Sequence, residues 1–280
     1  MKKSVLYIII AVIALAGIIC LVLMLYPTVS DRINASRQTR VVTRYLEETA
    51  QMDDSAVRAA LEAAREYNSR LQHNPNRYFF TDSDEVEYNT LLDAGHGVMG
   101  VIVIDKINVQ LPIYHGTSEG VLQIGTGHFQ GSSLPVGGEG THTVITGHRG
   151  LPSSKLLTSL DRLESGDRFM IHVFGEVLTY EVDQKLEVLP ENVDALRIDL
   201  NMDYCTLVTC TPYGVNDRRL LVRGHRVENL ESAQTVLLPP DAKRLGRPLT
   251  ILIFSIPILM ILFVYVIIRL RKIHLQGRAA

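Results

Sequence analysis

The sequence contains no tryptophan and only three cysteines in 280 residues, Cys20, Cys205 and Cys210. Cys20 falls inside an apolar run. Cys205 and Cys210 are five positions apart, so on one strand they point to opposite faces, separated by roughly 17 Å at about 3.3 Å per residue. That distance excludes a disulfide between them; Cys205 is expected to pack as a small hydrophobe and Cys210 to remain free. An excess of charge of one sign is also missing, since the formal net charge is -2, which leaves no footprint for nucleic acid. The glycine-rich tract from Pro112 to Gly140 holds no phosphate-loop lysine and no G-x-G-x-x-G after a strand, and its glycines read as turns rather than a nucleotide cradle. His115, His128, His142 and His148 are accompanied by no H-E-x-x-H and no cysteine pair, so no metal centre is expected.

Long apolar runs are present, and there are two. Ser4 to Tyr26 carries no charge, long enough at about 1.5 Å per residue to cross a hydrocarbon core of about 30 Å. A signal peptide would have a shorter apolar region and a small-residue cleavage site, whereas Leu25, Tyr26 and Pro27 follow here, so an uncleaved anchor is expected. Leu249 to Ile268 is the second run, followed by Arg269, Arg271 and Lys272. Two crossings put both termini on one side and the body on the other. Basic residues flank both ends of both runs, Lys2 and Lys3 against Arg32, Arg37, Arg40 and Arg44 in the first case, and the positive-inside rule does not choose the side.

Between the runs the pattern changes twice. Asp31 to Gln72 is charged and alanine-rich, with Val57, Leu61, Ala64 and Leu71 near helical spacing and Asp53, Asp54 and Ser55 placed as an N-cap would be; two helices are predicted, serving as a spacer. His73 to Asp84 breaks the helix at Pro75 and carries the aromatic cluster Tyr78, Phe79 and Phe80. From Val98 the sequence reads as β, through Val98 to Val109, Arg168 to Phe174, Val177 to Val188, Tyr204 to Thr209 and Arg219 to Val227, with turns at Gly166-Asp167 and Gly175-Glu176. Many strands with few interludes predict a closed β-barrel. A short helix is expected over Ser153 to Leu163, from the spacing of Leu156, Leu157, Leu160 and Leu163. The organisation predicted is an anchor over 1–26, a helical segment with a candidate lid over 27–97, a barrel over 98–230, a linker over 231–248 with Pro239-Pro240, and a second transmembrane helix with a basic tail over 249–280.

The stretch from Thr206 to Arg226, TLVTCTPYGVNDRRLLVRGHR, ends an apolar, β-branched run on Cys210 and reverses through a Pro212 to Gly214 turn. A thiol of pKa about 8.5 needs a neighbouring cation to ionise at neutral pH. His148 closes another β-branched run, Thr141 to Gly147, and is the best partner in the sequence. Arg218 and Arg219 open the returning strand; period 2 sends them to opposite faces, Arg219 with Leu221 and Arg223, Arg218 with Leu220 and Val222. Parity allows one of them to face a cleft without saying which.

TLVTCTPYG followed by RLLVRG, with TGH, GSSLPVGG and LPIYHGT upstream, resembles the class C, or pilin-polymerising, sortases over roughly Tyr88 to Arg226. The resemblance implies a mainly β fold, a sortase-like closed β-barrel with short helices, preceded by an N-terminal helical segment and flanked by two transmembrane helices. It implies that Cys210 is the nucleophile, His148 its partner and Arg219, directly before LLVRG, the substrate-orienting cation. It implies transpeptidation of an LPXTG-like sorting signal on a pilin or surface-protein precursor, through a thioacyl enzyme, to a lysine amine of a pilin, with no cofactor because the peptide bond energy is kept in the thioester. An extracellular body with cytoplasmic termini follows from the same resemblance. The family's lid carries an Asp-Pro-aromatic motif that is absent here, so Tyr78, Phe79 or Phe80 either plugs the groove without it or packs on the core. A housekeeping sortase acting on the cell-wall precursor, a cysteine hydrolase and a non-catalytic assembly protein are the alternatives.

Overall fold

The computed structural model describes residues 3–229, with side chains from residue 12, and four isolated helical positions, 261, 264, 265 and 268. The linker expected over 231–248 and the crossing and tail expected over 249–280 lie outside this set, those four positions apart. The N-terminal apolar run forms the first part of one helix, α1 (Lys3–Ala50), which continues unbroken through Pro27. It contains a stretch long and apolar enough to cross a membrane, with a mean hydropathy of 2.5 and no residue of that stretch buried in the protein.

The junction predicted at Asp53 is present: its side chain accepts from the Ser55 amide and caps α2 (Asp54–Leu71), leaving one fewer orphan donor in the first turn. The spacer role is not what these helices adopt. Val42 and Tyr45 of α1 and Leu61, Ala64, Tyr67 and Leu71 of α2 are buried in the main core. The Tyr45 hydroxyl donates to the Met99 carbonyl and accepts from the Phe174 amide, and Asn68 is hydrogen-bonded in both directions with the Leu134 backbone. Buried polar groups satisfied by the barrel's own backbone fix the helices to it.

Eight strands close the barrel: β1 (Val98–Ile104), β2 (Val109–His115), β3 (Thr126–His128), β4 (Thr141–Thr146), β5 (Arg168–Val173), β6 (Glu176–Val188), β7 (Asp203–Thr211) and β8 (Arg218–Val227), paired in the order β1-β2-β3-β4-β7-β8-β6-β5. Closure leaves no open sheet edge. The apolar run from Val98 is two strands, because a 3-10 turn at Asp105–Ile107 and Asn108 at φ 51° reverse the chain; asparagine tolerates that left-handed conformation. The glycine tract contributes the three-residue β3. The charged segment after the aromatic cluster forms α3 (Asp82–Thr90), started by a capping box between Thr81 and Asp84.

The helix expected over Ser153 to Leu163 is a series of turns with a single 3-10 turn at Leu160–Arg162. Its four leucines are buried as their spacing implied. The backbone, however, is held elsewhere: Asn34 donates to the Ser153 carbonyl, Asp31 accepts from the Lys155 amide, and the Leu157 amide donates to the carbonyl of His148. Leu156 has φ 36°, which a helix does not allow. Tertiary anchors override the periodicity.

Pairing directions decide which ends come together. β2 and β5 are antiparallel to β1, β3 is parallel to β2, β4 antiparallel to β3, and β7 parallel to β4. β8 is antiparallel to β7 and β6 to β8. The carboxyl ends of β1, β4, β6 and β7 therefore lie on one rim.

Candidate active site

Side-chain parity divides β7 and β8 between two environments. Cys205 and Leu207 of β7 and Leu220 and Val222 of β8 belong to the barrel core. Val208 and Leu221, on the opposite faces, join Val144 and Leu196 in a second apolar cluster outside the barrel, against which Phe129, Val188 and Ala195 pack. This cluster floors a groove of about 270 Å³, lined among others by His148, Cys210 and Arg219. The three residues singled out in the sequence are thus on one surface. Cys210 and Arg219 are directly paired across the β7–β8 ladder.

Cys205 behaves as expected of the other thiol: it is fully buried, and burial first, then Asp203, raises its pKa well above the usual value. Such a thiol stays protonated and inert. Cys210 is half-buried and free.

His148 follows β4 by two residues, and the turn that delivers it is locked. The Gly147 amide donates to the Val208 carbonyl and the Thr209 hydroxyl to the Gly147 carbonyl, tying the exit of β4 to the strand that ends on Cys210. A Cβ at Gly147 would lie 2.8 Å from two side-chain carbons of Leu157, so a larger residue there would have to displace that fully buried leucine. The His148 Nε2 is buried and makes no hydrogen bond among the described residues. Glu119, which opens the short helix α4 (Glu119–Leu122), places a carboxylate oxygen 3.5 Å away, an ion pair when the imidazole is protonated. The Glu119 carboxyl is held below its usual pKa range, first by the hydrogen bond from Gln123 and then by the His148 charge.

Sequence reading missed Arg149. Its side chain is 10% exposed and pairs with Asp161 at 2.8 Å while reaching the Thr211 hydroxyl at 3.4 Å. It therefore bridges the residues next to His148 and Cys210. Position beside His148 was its only signal, as a charged residue in a glycine- and proline-rich turn ordinarily reads as solvated.

Arg219 lies on the groove side with Leu221, and Arg218 is exposed. One Arg219 nitrogen donates to the carbonyls of Asn216 and Arg218, holding the guanidinium along the turn. Arg223, next on the same face, pairs with Asp183 and stacks over Tyr204.

The aromatic cluster divides. Phe79 is exposed, and Phe80 packs edge-on against buried Tyr88, 6.2 Å between ring centres. Tyr78 rests on Phe129, 5.8 Å between centres, while Arg77 donates to the Leu196 carbonyl and to the Tyr78 hydroxyl. Phe129 and Leu196 line the groove; none of the three rings of the cluster does. His142 and His128 are buried and neutral, burial pushing each down to about 4. His142 bridges the Arg197 carbonyl and the Thr206 hydroxyl, both at 2.7 Å, and so fixes the loop carrying Leu196. His128 is bound by Tyr88, Ser132 and Ser133. Among the described residues no cluster of three or more His, Cys, Asp or Glu side chains could hold a metal.

Comparison with known proteins gives the fold its relatives. The sortase domain model matches residues 102–227. Sortase C1 from Streptococcus agalactiae is 46% identical, with a TM-score of 0.67 over 68% of this chain and 100% of that structure. Sortase C from Streptococcus pneumoniae is 42% identical, with a TM-score of 0.62 over 68% of this chain and 97% of that one. Sortase D of Bacillus subtilis (strain 168) is 29% identical over 131 residues, 46% of this chain; the chain spans 63% of that curated relative, less than two thirds of its length.

Proposed function

This chain belongs to the sortase family, its structural neighbours being class C sortases, and from that premise we propose that it is a membrane-bound cysteine transpeptidase that joins pilin subunits. The observation that carries the reading is the gathering of Cys210, His148 and Arg219 in one groove. In the proposed reaction the Cys210 thiolate attacks the carbonyl carbon of the scissile bond in an LPXTG-like sorting signal. The oxyanion that forms accepts hydrogen bonds from the Arg219 guanidinium, a planar fork suited to oxygen. As the tetrahedral intermediate collapses, the C–N bond breaks and His148, as imidazolium, gives its proton to the leaving amine. A thioester to Cys210 remains. The neutral imidazole then takes a proton from an incoming lysine amine, which attacks the thioester, releases the thiolate and forms the new amide.

The floor of Val144, Val208 and Leu221 suits the apolar side chains of a sorting signal. Transpeptidation and hydrolysis differ in what takes the acyl group. Incubating the full-length protein in detergent with a sorting-signal peptide and a lysine-containing acceptor peptide should give the isopeptide-linked product in excess over the hydrolysed acid. Acid alone, at every acceptor concentration, would mean a hydrolase.

A further inference from the structure

The groove lies at the end of the barrel nearest the apolar part of α1. β1 and α1 run in opposite directions along the barrel: Tyr45 meets Met99 at the start of β1, whereas Asp31, Arg32 and Thr39 line a cleft with Val103 and Asp105 at its end. The rim reached by α1 as it leaves its apolar run is therefore the rim formed by the carboxyl ends of β1, β4, β6 and β7. Asp31, which binds the Lys155 amide, comes five residues after Tyr26, about 7.5 Å along the helix axis. A headgroup layer is roughly 5 to 8 Å deep on each side of the core.

That rim carries exposed apolar side chains. In the β7–β8 turn Tyr213 is 62% and Val215 68% exposed, and Leu189, just after β6, is 51% exposed. The Tyr213 ring lies against Gly150, beside the loop that Asp31 and Asn34 hold. Asn216, Asp217 and Arg218 follow at once, so the turn has an apolar tip of two side chains on a polar base.

We infer that the β7–β8 turn docks into the headgroup interface of the bilayer that α1 crosses, seating Tyr213 and Val215 there and opening the Cys210 groove at the membrane surface. The inference rests on the membrane reading of α1 and deepens the proposed function, because the polypeptide it favours is one presented at the bilayer surface rather than free in bulk water. A tyrosine at headgroup level places its ring in the interface and its hydroxyl in water. The polar base limits the depth.

The absence of native tryptophan allows a direct test in the whole protein. Single variants Tyr213→Trp, Val215→Trp, Val22→Trp in the apolar run and Leu200→Trp are reconstituted in phosphatidylcholine vesicles, with and without bromine on the upper acyl chain. Leu200 is exposed, with its carbonyl beside Gly140 at the start of β4, and so serves as the opposite-rim control. Loss of emission is expected at positions 22, 213 and 215 and none at 200. Indoles at 213 and 215 as bright as the one at 200, beside a quenched one at 22, would overturn the docking while leaving the anchor and the chemistry standing. An unquenched indole at 22 would remove the membrane reading and the docking together. None of these readouts depends on catalysis, so a failure of the proposed activity is seen separately.

Discussion

Arg218 and Arg219 carry the same charge one position apart, yet the pleat gives them different surroundings. Arg219 shares the groove with Cys210, and Arg218 is turned away. A lysine at 219 would keep the charge but lose the fixed fork of donors. Arg219→Lys is therefore expected to lose acyl transfer by roughly a hundredfold or more as an oxyanion-type donor, while Arg218→Ala stays near wild type, measured by peptide cleavage on variants with unchanged circular dichroism. An inactive Arg218→Ala beside an active Arg219→Lys would contradict the assignment. Parity was legible in the sequence for both arginines and for the two cysteines, because strand period is 2 whatever the fold. Arg149 was not, since its partners Asp161 and Thr211 come from a separate turn and from the end of β7.

Two further residues, His128 and His142, give the fold a pH dependence whose sign follows from burial. Each has a folded-state pKa near 4, below the ordinary 6.5. Between about 6.5 and 4 the unfolded chain binds protons that the folded chain does not, so stability is full above 6.5 and falls as pH drops through that window, by on the order of a few kcal/mol per histidine. Asp203, raised chiefly by burial, acts in the opposite direction at the carboxylate end of the range. Urea midpoints should fall from pH 7 to pH 5, less steeply in His142→Gln. Equal midpoints at the two pH values would show that these imidazoles are not buried neutral.

At the scale of elements, β4 to β8 were legible from their apolar, β-branched runs, whereas β2 beyond Val109 and β3 fall in the tract read as glycine turns; the joint at Asp53 was legible because its cap is local. The segment after His148 was not. Its leucine spacing reported burial correctly, but the anchors supplied by Asn34 and Asp31 from α1 set its backbone, and those are more than a hundred residues away in sequence. The aromatic segment is the other element whose role sequence left divided. Tyr78 touches the groove's edge through Phe129, whereas Phe79 faces solvent and Phe80 sits on Tyr88. If the segment acts as a lid, Tyr78→Ala should raise the rate at which a thiol reagent modifies Cys210, because a more populated open state exposes it. Phe79→Ala should change it least. Unchanged rates in the alanine variants of all three rings would mean that no aromatic lid covers the groove.

The molecule as a whole joins a long helix, a closed barrel and a groove on one rim. That a helix of 48 residues both contains the apolar run and packs Val42 and Tyr45 into the main core could not be read from composition, which marks the change from apolar to charged as a boundary rather than a continuation. The motif-bearing ends were legible one at a time; their meeting on one rim depends on the parallel pairing of β4 with β7. In the proposed reaction this meeting makes Cys210 the acyl carrier. Intact-mass measurement of the full-length protein in detergent, mixed with an LPXTG-like peptide and no acceptor, tests it most directly. One thioester-linked acyl fragment per chain is predicted, mapped to Cys210, released by hydroxylamine and absent from Cys210→Ala, with Cys205 and Cys20 unmodified. Peptide cleavage persisting in Cys210→Ala, or an adduct on any other residue, would contradict it.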